Sequence, residues 1–474
     1  MQNMQYSFLN NNEKSGFQLP ELCKKIAGNF NGRDVDEFEI YVSRSVQNEI
    51  EVFNSKINTL SFSDSTGIGI RVFRGGCVGY AYTSSIREKE IIDCIEKAIC
   101  NSKITSKDEL NSLPRESEFR YQTPYILPED LFKENFLEFG IDKKIELTKE
   151  LEVLVKKKDR RVTGVDNLIY NDDLSEVAIF NSLGFEGSYK TAACVVYVSV
   201  ISKENKDVST GDFFGYARSP GDLDLEEIAE NAVNRSVLIL DGQKIKSRRA
   251  KVILDPLVAC QFLGVIAIGL TADRVQKGKS LFKDRIGERF FSIDLDIVDD
   301  GTMPSGMATR PFDSEGVPKG RTLIFEKGIL KTFLYNSYTA RKDNTKSTGN
   351  AVRSSYKSPP TVGLSNLYIV PSVDERATLQ GLLEVSQDGF YVVDIMGLHS
   401  GTNPVSGEIS VGAKGMWVEG GKFRFPVREV TIATDILSLC KNIERIGNDL
   451  KFIISGGYIG SPSLVVNDIM ISGI

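Results

Sequence analysis

The chain has 474 residues, 41% of them hydrophobic and 26% charged, with a formal net charge of −6. These are the proportions of a globular protein of two or three domains. An acidic balance without a long run of Lys and Arg speaks against a nucleic-acid binder, and no 18 apolar residues run uninterrupted, so no membrane-spanning helix is expected.

Met1 to Lys24 is polar and Asn-rich and lacks the apolar core of a secretory signal. The seven cysteines, at 23, 77, 94, 100, 194, 260 and 440, are scattered without a CxxC pair. That usage fits reduced thiols and a cytoplasmic home.

Two stretches of the first half share a plan. GIGIRVFRGGCVGYAYT reads as strand and leads into the helical SSIREKEIIDCIEKAI; a second strand run ends at Gly215-Tyr216-Ala217 and leads into SPGDLDLEEIAENAV. Ile91, Ile95 and Ala98, and then Leu225, Ile228, Ala229 and Val233, keep helical spacing behind acidic first turns. Alternating runs such as EIYVSRS and TAACVVYVSVIS precede each helix. The expectation is two β-meander-plus-helix units, around 37–103 and 162–239, possessing a common ancestry by duplication and joined by a helix near Asp142 to Lys157. The Ser-, Pro- and charge-rich stretch from Ile104 to Glu134 reads as a long surface connection.

A boundary near residues 245 and 246 opens the second half. There TLIFEKGILKTFLY and GMWVEGGKFRFPVREVTIA read as hairpins turning at Glu326-Lys327-Gly328 and Gly420-Gly421. One helix is predicted from Pro256 to Val275, apolar on more than one face and therefore buried, and a short one from Asp435 to Arg445. The fold class is α+β: an N-terminal α+β domain (1–245) and a C-terminal, mostly antiparallel β domain (246–474) with a buried helix.

Chemistry is scarce. The one histidine, His399, sits in GLHSGTNPVSGEISVG and reads as part of a polar turn. A zinc site built on several histidines, or a Ser-His-Asp triad, has nothing else to draw on. GIGIRVFRGG lacks the glycine spacing of a phosphate loop and reads as strand. Asp294, Asp296, Asp299 and Asp300 read as a strand ending in an Asp-Asp-Gly turn, since their spacing is wrong for an EF-hand. Asp313 and Glu315 offer an acid–base pair in principle and read more simply as acidic residues of a Gly/Pro turn.

Taken together, STGIGIRVF, PFDSEGVPKGRTLIFEKGILKTFL, TARKDNTKSTGNAVR, GLHSGTNPVSGEISVGAKGMWVEGGKFRFPVREVTIA, IERIGNDL and SPSLVVNDIMISG resemble the TldD/PmbA family in order and spacing over nearly the whole chain. TldD-type members of that family carry an HExxxH helix and a Cys ligand near the C-terminus; TldE/PmbA-type members lack them and pair with a TldD-type subunit. Anchored on Gly287 and Glu288, the HExxxH window falls on Leu263 to Ile268, with Leu263 and Ile268 in place of the histidines and Gly264 in place of the glutamate. The segment after Asn448-Asp449-Leu450 has no cysteine, and Cys440 comes too early. The resemblance thus implies a non-catalytic TldE-like subunit with no metal or catalytic residue of its own, zinc being expected only in the TldD-type partner. Its substrates would be unfolded peptides, trimmed or degraded, with His399, Ser400 and Asn403 as candidates for a peptide-channel loop. Pairing with itself in isolation is the other assembly. A metal-independent peptidase, or a regulator acting on gyrase-inhibitor or toxin–antitoxin systems, are the alternative functions.

Overall fold

The structure, a computed structural model, describes residues 18–119, 130–371 and 376–474. Most of the polar N-terminal stretch and residues 120–129 of the connection fall outside the described residues.

The first half is one six-stranded antiparallel sheet with helices on one face. Helix α1 (Leu19–Gly28) precedes β1 (Glu37–Phe53), β2 (Lys56–Arg74), β3 (Cys77–Thr83) and α2 (Glu88–Ser102). The pattern then recurs as α3 (Ile141–Lys158), β4 (Val162–Asn181), β5 (Glu186–Glu204), β6 (Asp207–Ala217) and α4 (Leu225–Leu238). The strand order is β3-β2-β1-β4-β5-β6, so the two meanders meet back to back through the β1–β4 ladder. Val46 faces Leu174 in that ladder, and each strand ends seven residues later, at Phe53 and Asn181, which makes this pair the centre of a local two-fold.

Alternation explains the layering. On one face of β1 and β4, Ile50, Val52, Leu168 and Tyr170 are buried with Leu151 and Val155 of α3. Ile40, Val42 and Ala178 are buried with Leu22 and Ile26 of α1. The opposite face is a polar trough of residues such as Gln47, Glu49 and Asp173.

The Gly-Tyr-Ala tripeptides that drew attention in the sequence are not structural counterparts. A Cβ on Gly79 would lie 1.9 Å from the Ala98 carbonyl oxygen of α2, and the residue that meets α4 in the same way is Gly211, 2.1 Å from the Ser236 nitrogen. The connection after α2 is likewise less superficial than its composition suggests, because Leu113, Phe119 and Phe136 are buried.

In the second half, strand β7 (Arg248–Leu254) pairs with both Gly389–Met396 and Leu464–Ser472. With Glu408–Glu419 and Lys422–Asp435 these strands close into a five-membered ring. A second, six-stranded sheet is built around Leu295–Asp300 and Asn366–Pro371. The two expected hairpins are present, Arg321–Glu326 with Ile329–Leu330 and Glu408–Glu419 with Lys422–Asp435. Among the described residues no helix is long and apolar enough to cross a membrane. The whole is an α+β fold.

Two helices are shorter than their sequence patterns predict. The predicted helix Pro256–Val275 is two: α5 (Pro256–Ile268) and α6 (Ala272–Gln276). Between them the backbone turns to another partner: Leu334 N–H donates to the Leu270 carbonyl, and Ala272 N–H donates to that of Leu334. Gly269, where a Cβ would come 3.1 Å from the Phe282 ring, makes room for the turn. Near the C-terminus only Ile436–Lys441 is helical, because Ile443–Gly447 joins Leu464–Ser472 as a strand.

Candidate functional site

Helix α5 begins at Asp255, whose carboxylate accepts from Leu257 N–H at 3.1 Å, with Pro256 at the first helical position. Nearly every side chain along it is buried; the exception is one stripe at helical spacing, Gln261, Gly264 and Ile268. That stripe floors a cleft of about 670 Å³, walled by the Thr361–Leu364 loop, by His399 and Thr402, and by Ser455 and Gly456.

The three residues of the HExxxH window therefore part company. Leu263 is 2% exposed and packs in the core, whereas Ile268 is 38% exposed and, with Gly264, faces the cleft. The expectation that the Leu and Ile of this window both pack as core is thus wrong for Ile268: the helix stops there and leaves its last turn open to the cleft.

His399 reaches the same cleft from a single helical turn, Leu398–Gly401, rather than from an irregular loop. Its two companions do not line it. Ser400 Oγ donates to the Gly397 carbonyl at 3.2 Å, and Asn403 Oδ1 accepts from Val405 and Ser406 N–H at 3.0 and 3.2 Å, holding the turn. The sequence after Leu450 supplies Ser455 and Gly456 to the cleft, while Cys440 is wholly buried.

Two further cavities lie at the seam of the two halves, one sharing a wall with the cleft and the other sharing a wall with the first. One, about 380 Å³, runs from Leu364 past Arg310 and Tyr41 to Asp173; the other, about 340 Å³, runs from Asp173 along the polar trough to Ile454. Leu364 is common to the cleft and the first of these, and Asp173 to the two cavities, so the three hollows lie in sequence between the polar trough and α5.

The acidic pair Asp313 and Glu315 does sit in a turn, and that turn is buried. Both are buried where the sheet of the first half meets the second. Glu315 Oε1 pairs with Arg71 Nη1 at 2.9 Å, its Oε2 accepts from Ser337 N–H at 3.0 Å, and Arg71 Nη2 reaches Glu39 at 2.7 Å. Glu39 also pairs with Arg353. Burial opposes the Glu315 charge, but Arg71 and the Ser337 N–H prevail and hold it below the ordinary carboxylate range. Asp313 is pushed up by burial and by Glu315, although three backbone N–H groups, of Glu315, Val317 and Ala351, point at its carboxylate. Of the aspartates in DLDIVDDGT, Asp299 is buried and accepts from Asn350 Nδ2 and Ser365 N–H, both at 2.7 Å.

The glycines of STGIGIRVF act at the same seam. A Cβ on Gly67 would sit 2.2 Å from the Tyr356 ring, and one on Gly69 would sit 2.7 Å from the Tyr356 carbonyl oxygen. Sequence reasoning placed this segment on a strand but missed why it is bare; only the arrival of residue 356, far along the chain, discloses it.

Three family models, described as PmbA/TldA metallopeptidase domain 1, central domain and C-terminal domain, match residues 38–101, 134–240 and 247–473. This chain is a member of the PmbA/TldD family. It is 26% identical over 436 residues to the metalloprotease PmbA homolog of Buchnera aphidicola subsp. Acyrthosiphon pisum, covering 92% of this chain and 93% of that one. A solved protein of Thermotoga maritima, described as a modulator of DNA gyrase, superposes with a TM-score of 0.85 at 25% identity over 96% of this chain and all of that one. TldE of Thermococcus kodakarensis, at 22% identity and a TM-score of 0.83 over 96% of this chain and all of that one, shares the fold.

A PmbA/TldD metallopeptidase implies a metal ion, and the α5 cleft of this member does not fit one. His399 is its sole imidazole, Asp273 its sole carboxylate, and no cysteine lines it. Among the described residues no three His, Cys, Asp or Glu side chains converge anywhere. Three protein ligands are the ordinary minimum for catalytic zinc.

Proposed function

We propose that this chain is the metal-free, TldE/PmbA-type subunit of a two-subunit metalloprotease, working in the cytoplasm on unfolded peptides. The observation that carries the reading is the floor of the cleft: Gly264 and Ile268 stand where a hydrolytic member would present a metal-binding helix. Neither side chain can ligate a metal or activate water. The role left to the chain is to position substrate. The succession of hollows from the trough to α5 would suit an extended chain, and recognition through main-chain hydrogen bonds would tolerate many sequences. The partner is a family member bearing an HExxxH helix, which supplies the zinc.

Two measurements test this together. Purified without chelator, the chain should hold well below one zinc per molecule. Mixed with an HExxxH-bearing family subunit, it should co-elute with it and raise cleavage of an unfolded peptide at least tenfold over either subunit alone. One retained zinc per chain, or peptide cleavage by this chain alone, would overturn the proposal.

A further inference from the structure

Cations enclosed in a protein ordinarily sit beside a carboxylate, and at the seam between the halves three do not. Lys319 is 6% exposed and its ammonium donates to Ser365 Oγ at 2.6 Å. Asp299 and Asp313 act on it through space, but among the described residues no carboxylate lies within ion-pair distance of it. Arg310 Nη1 donates to the Thr309 and Met307 carbonyls at 2.6 and 3.1 Å, and the guanidinium lies 5.9 Å from the centre of the Tyr189 ring. Arg218, 3% exposed, donates to the Ala192 and Gly306 carbonyls, and its Nε has no acceptor. Burial, reinforced by the charge of Arg310, holds Lys319 below the ordinary ammonium range and brings Arg218 down to about 9.

Lys319 and Arg310 line the cavity of about 380 Å³ that lies between the trough and the α5 cleft. Arg218 lies behind its wall, for Thr191, next to Ala192, lines it as well. The other charges of the lining are engaged. Arg353 pairs with Glu39, and Asp173 accepts from Ser45, Gln47 and Ser175. Asp313 accepts from its three backbone N–H groups. Lys319 thus keeps two N–H groups to offer, and on Arg310 only Nη1 is engaged by a carbonyl.

We infer that this cavity binds a carboxylate of the peptide substrate, with Lys319 and Arg310 as its counter-charges. A carboxylate brings two acceptor oxygens and one negative charge, so it satisfies the free N–H groups and the paired cations together. A neutral carbonyl would satisfy only the N–H groups. A phosphate would set a second negative charge against Asp173 and Asp313, which share the lining. The chain terminus and an Asp or Glu side chain carry the same group, and either is a source. The inference rests on the reading of this chain as a peptide-binding subunit and deepens it by naming the group on the substrate that is recognised.

The test is calorimetric titration of the full chain, with no other subunit, by N-acetylated decapeptides of Ala, Ser and Thr. One ends in a free carboxylate, one in a carboxamide, and a third is the carboxamide with one internal Asp. The free acid should bind at least about tenfold more tightly than the plain amide. Arg310→Gln and Lys319→Met should each reduce that ratio to below about threefold, with the affinity for the amide unchanged. Arg310→Gln, at a half-buried position, keeps the test decisive should Lys319→Met fail to fold. An Asp peptide that binds like the free acid places the recognised carboxylate on a side chain, and one that binds like the amide places it at the terminus; both uphold the site. No binding of the free acid, equal binding of acid and amide, a preference that Arg310→Gln leaves intact, or displacement of the acid by equimolar inorganic phosphate would overturn it. Neither zinc nor cleavage enters these titrations, so a chain that retained zinc would sink the two-subunit reading while the carboxylate preference was still judged on its own.

Discussion

Leu263 and Ile268 are both aliphatic and belong to one sequence window, yet their surroundings set opposite tolerances. Leu263→His places an imidazole in close-packed core, removing apolar contacts and leaving a polar group unpaired, at a cost of about 3 kcal/mol. Ile268→His places the same ring at the lip of a cleft where water can satisfy it, and should cost under about 1 kcal/mol. Gly264→Glu falls between them, since its Cβ would lie 3.3 Å from Ile459 Cδ1 and the carboxylate has the cleft to extend into. Urea titrations of the three single variants check the order; equal losses at 263 and 268 would show that the cleft is closed in solution. The window was legible in the sequence as lacking ligands. Which of its residues face the cleft was not, because that depends on where α5 stops, and the stop is dictated by Leu334.

At the scale of elements, the seam between β1–β2 and the loops of the second half is fastened by Glu39, Arg71, Glu315 and Arg353 around Tyr356. Every one of these charges is buried, so each relies on its neighbours. Arg71→Met leaves Glu315 without its only ion-pair partner among the described residues and should lower stability by about 3–5 kcal/mol, by analogy with other broken buried pairs. The equivalent change at Arg44, partly exposed and paired with the more exposed Asp64, should cost under about 1 kcal/mol. Denaturant midpoints of the two variants give the comparison, and a mild effect at Arg71 would mean that water enters the seam. The hairpins and the strands themselves were readable from alternation and turn glycines, since both signals are local. Asp313 and Glu315 were legible as residues of a Gly/Pro turn, but their burial was not, because the chain that covers the turn arrives from elsewhere in the sequence.

For the molecule as a whole, one apolar cluster runs from Ile50 and Val196 in the first half through Leu257 and Phe262 of α5 to Val430 and Ile469 in the second. A core shared in this way argues that the halves unfold together, despite the boundary that composition suggests near residue 245. Melting followed at Trp417, the chain's one tryptophan, and by far-ultraviolet circular dichroism should therefore give coincident curves. Separate transitions would mean that the seam opens before the core does.

The back-to-back meeting of β1 and β4 also has a bearing on how the chain is made. Val46 finds its ladder partner only at Leu174, well over a hundred residues downstream. At ordinary rates of synthesis that gap lasts roughly 6–25 s. Through that interval the first meander has emerged with the β1 edge unpaired and with β2 joined to β3 only over Ile68–Arg74. The nascent chain is thus most vulnerable to misassembly in the period before β4 appears, and a ribosome-associated chaperone would have its clearest work to do there.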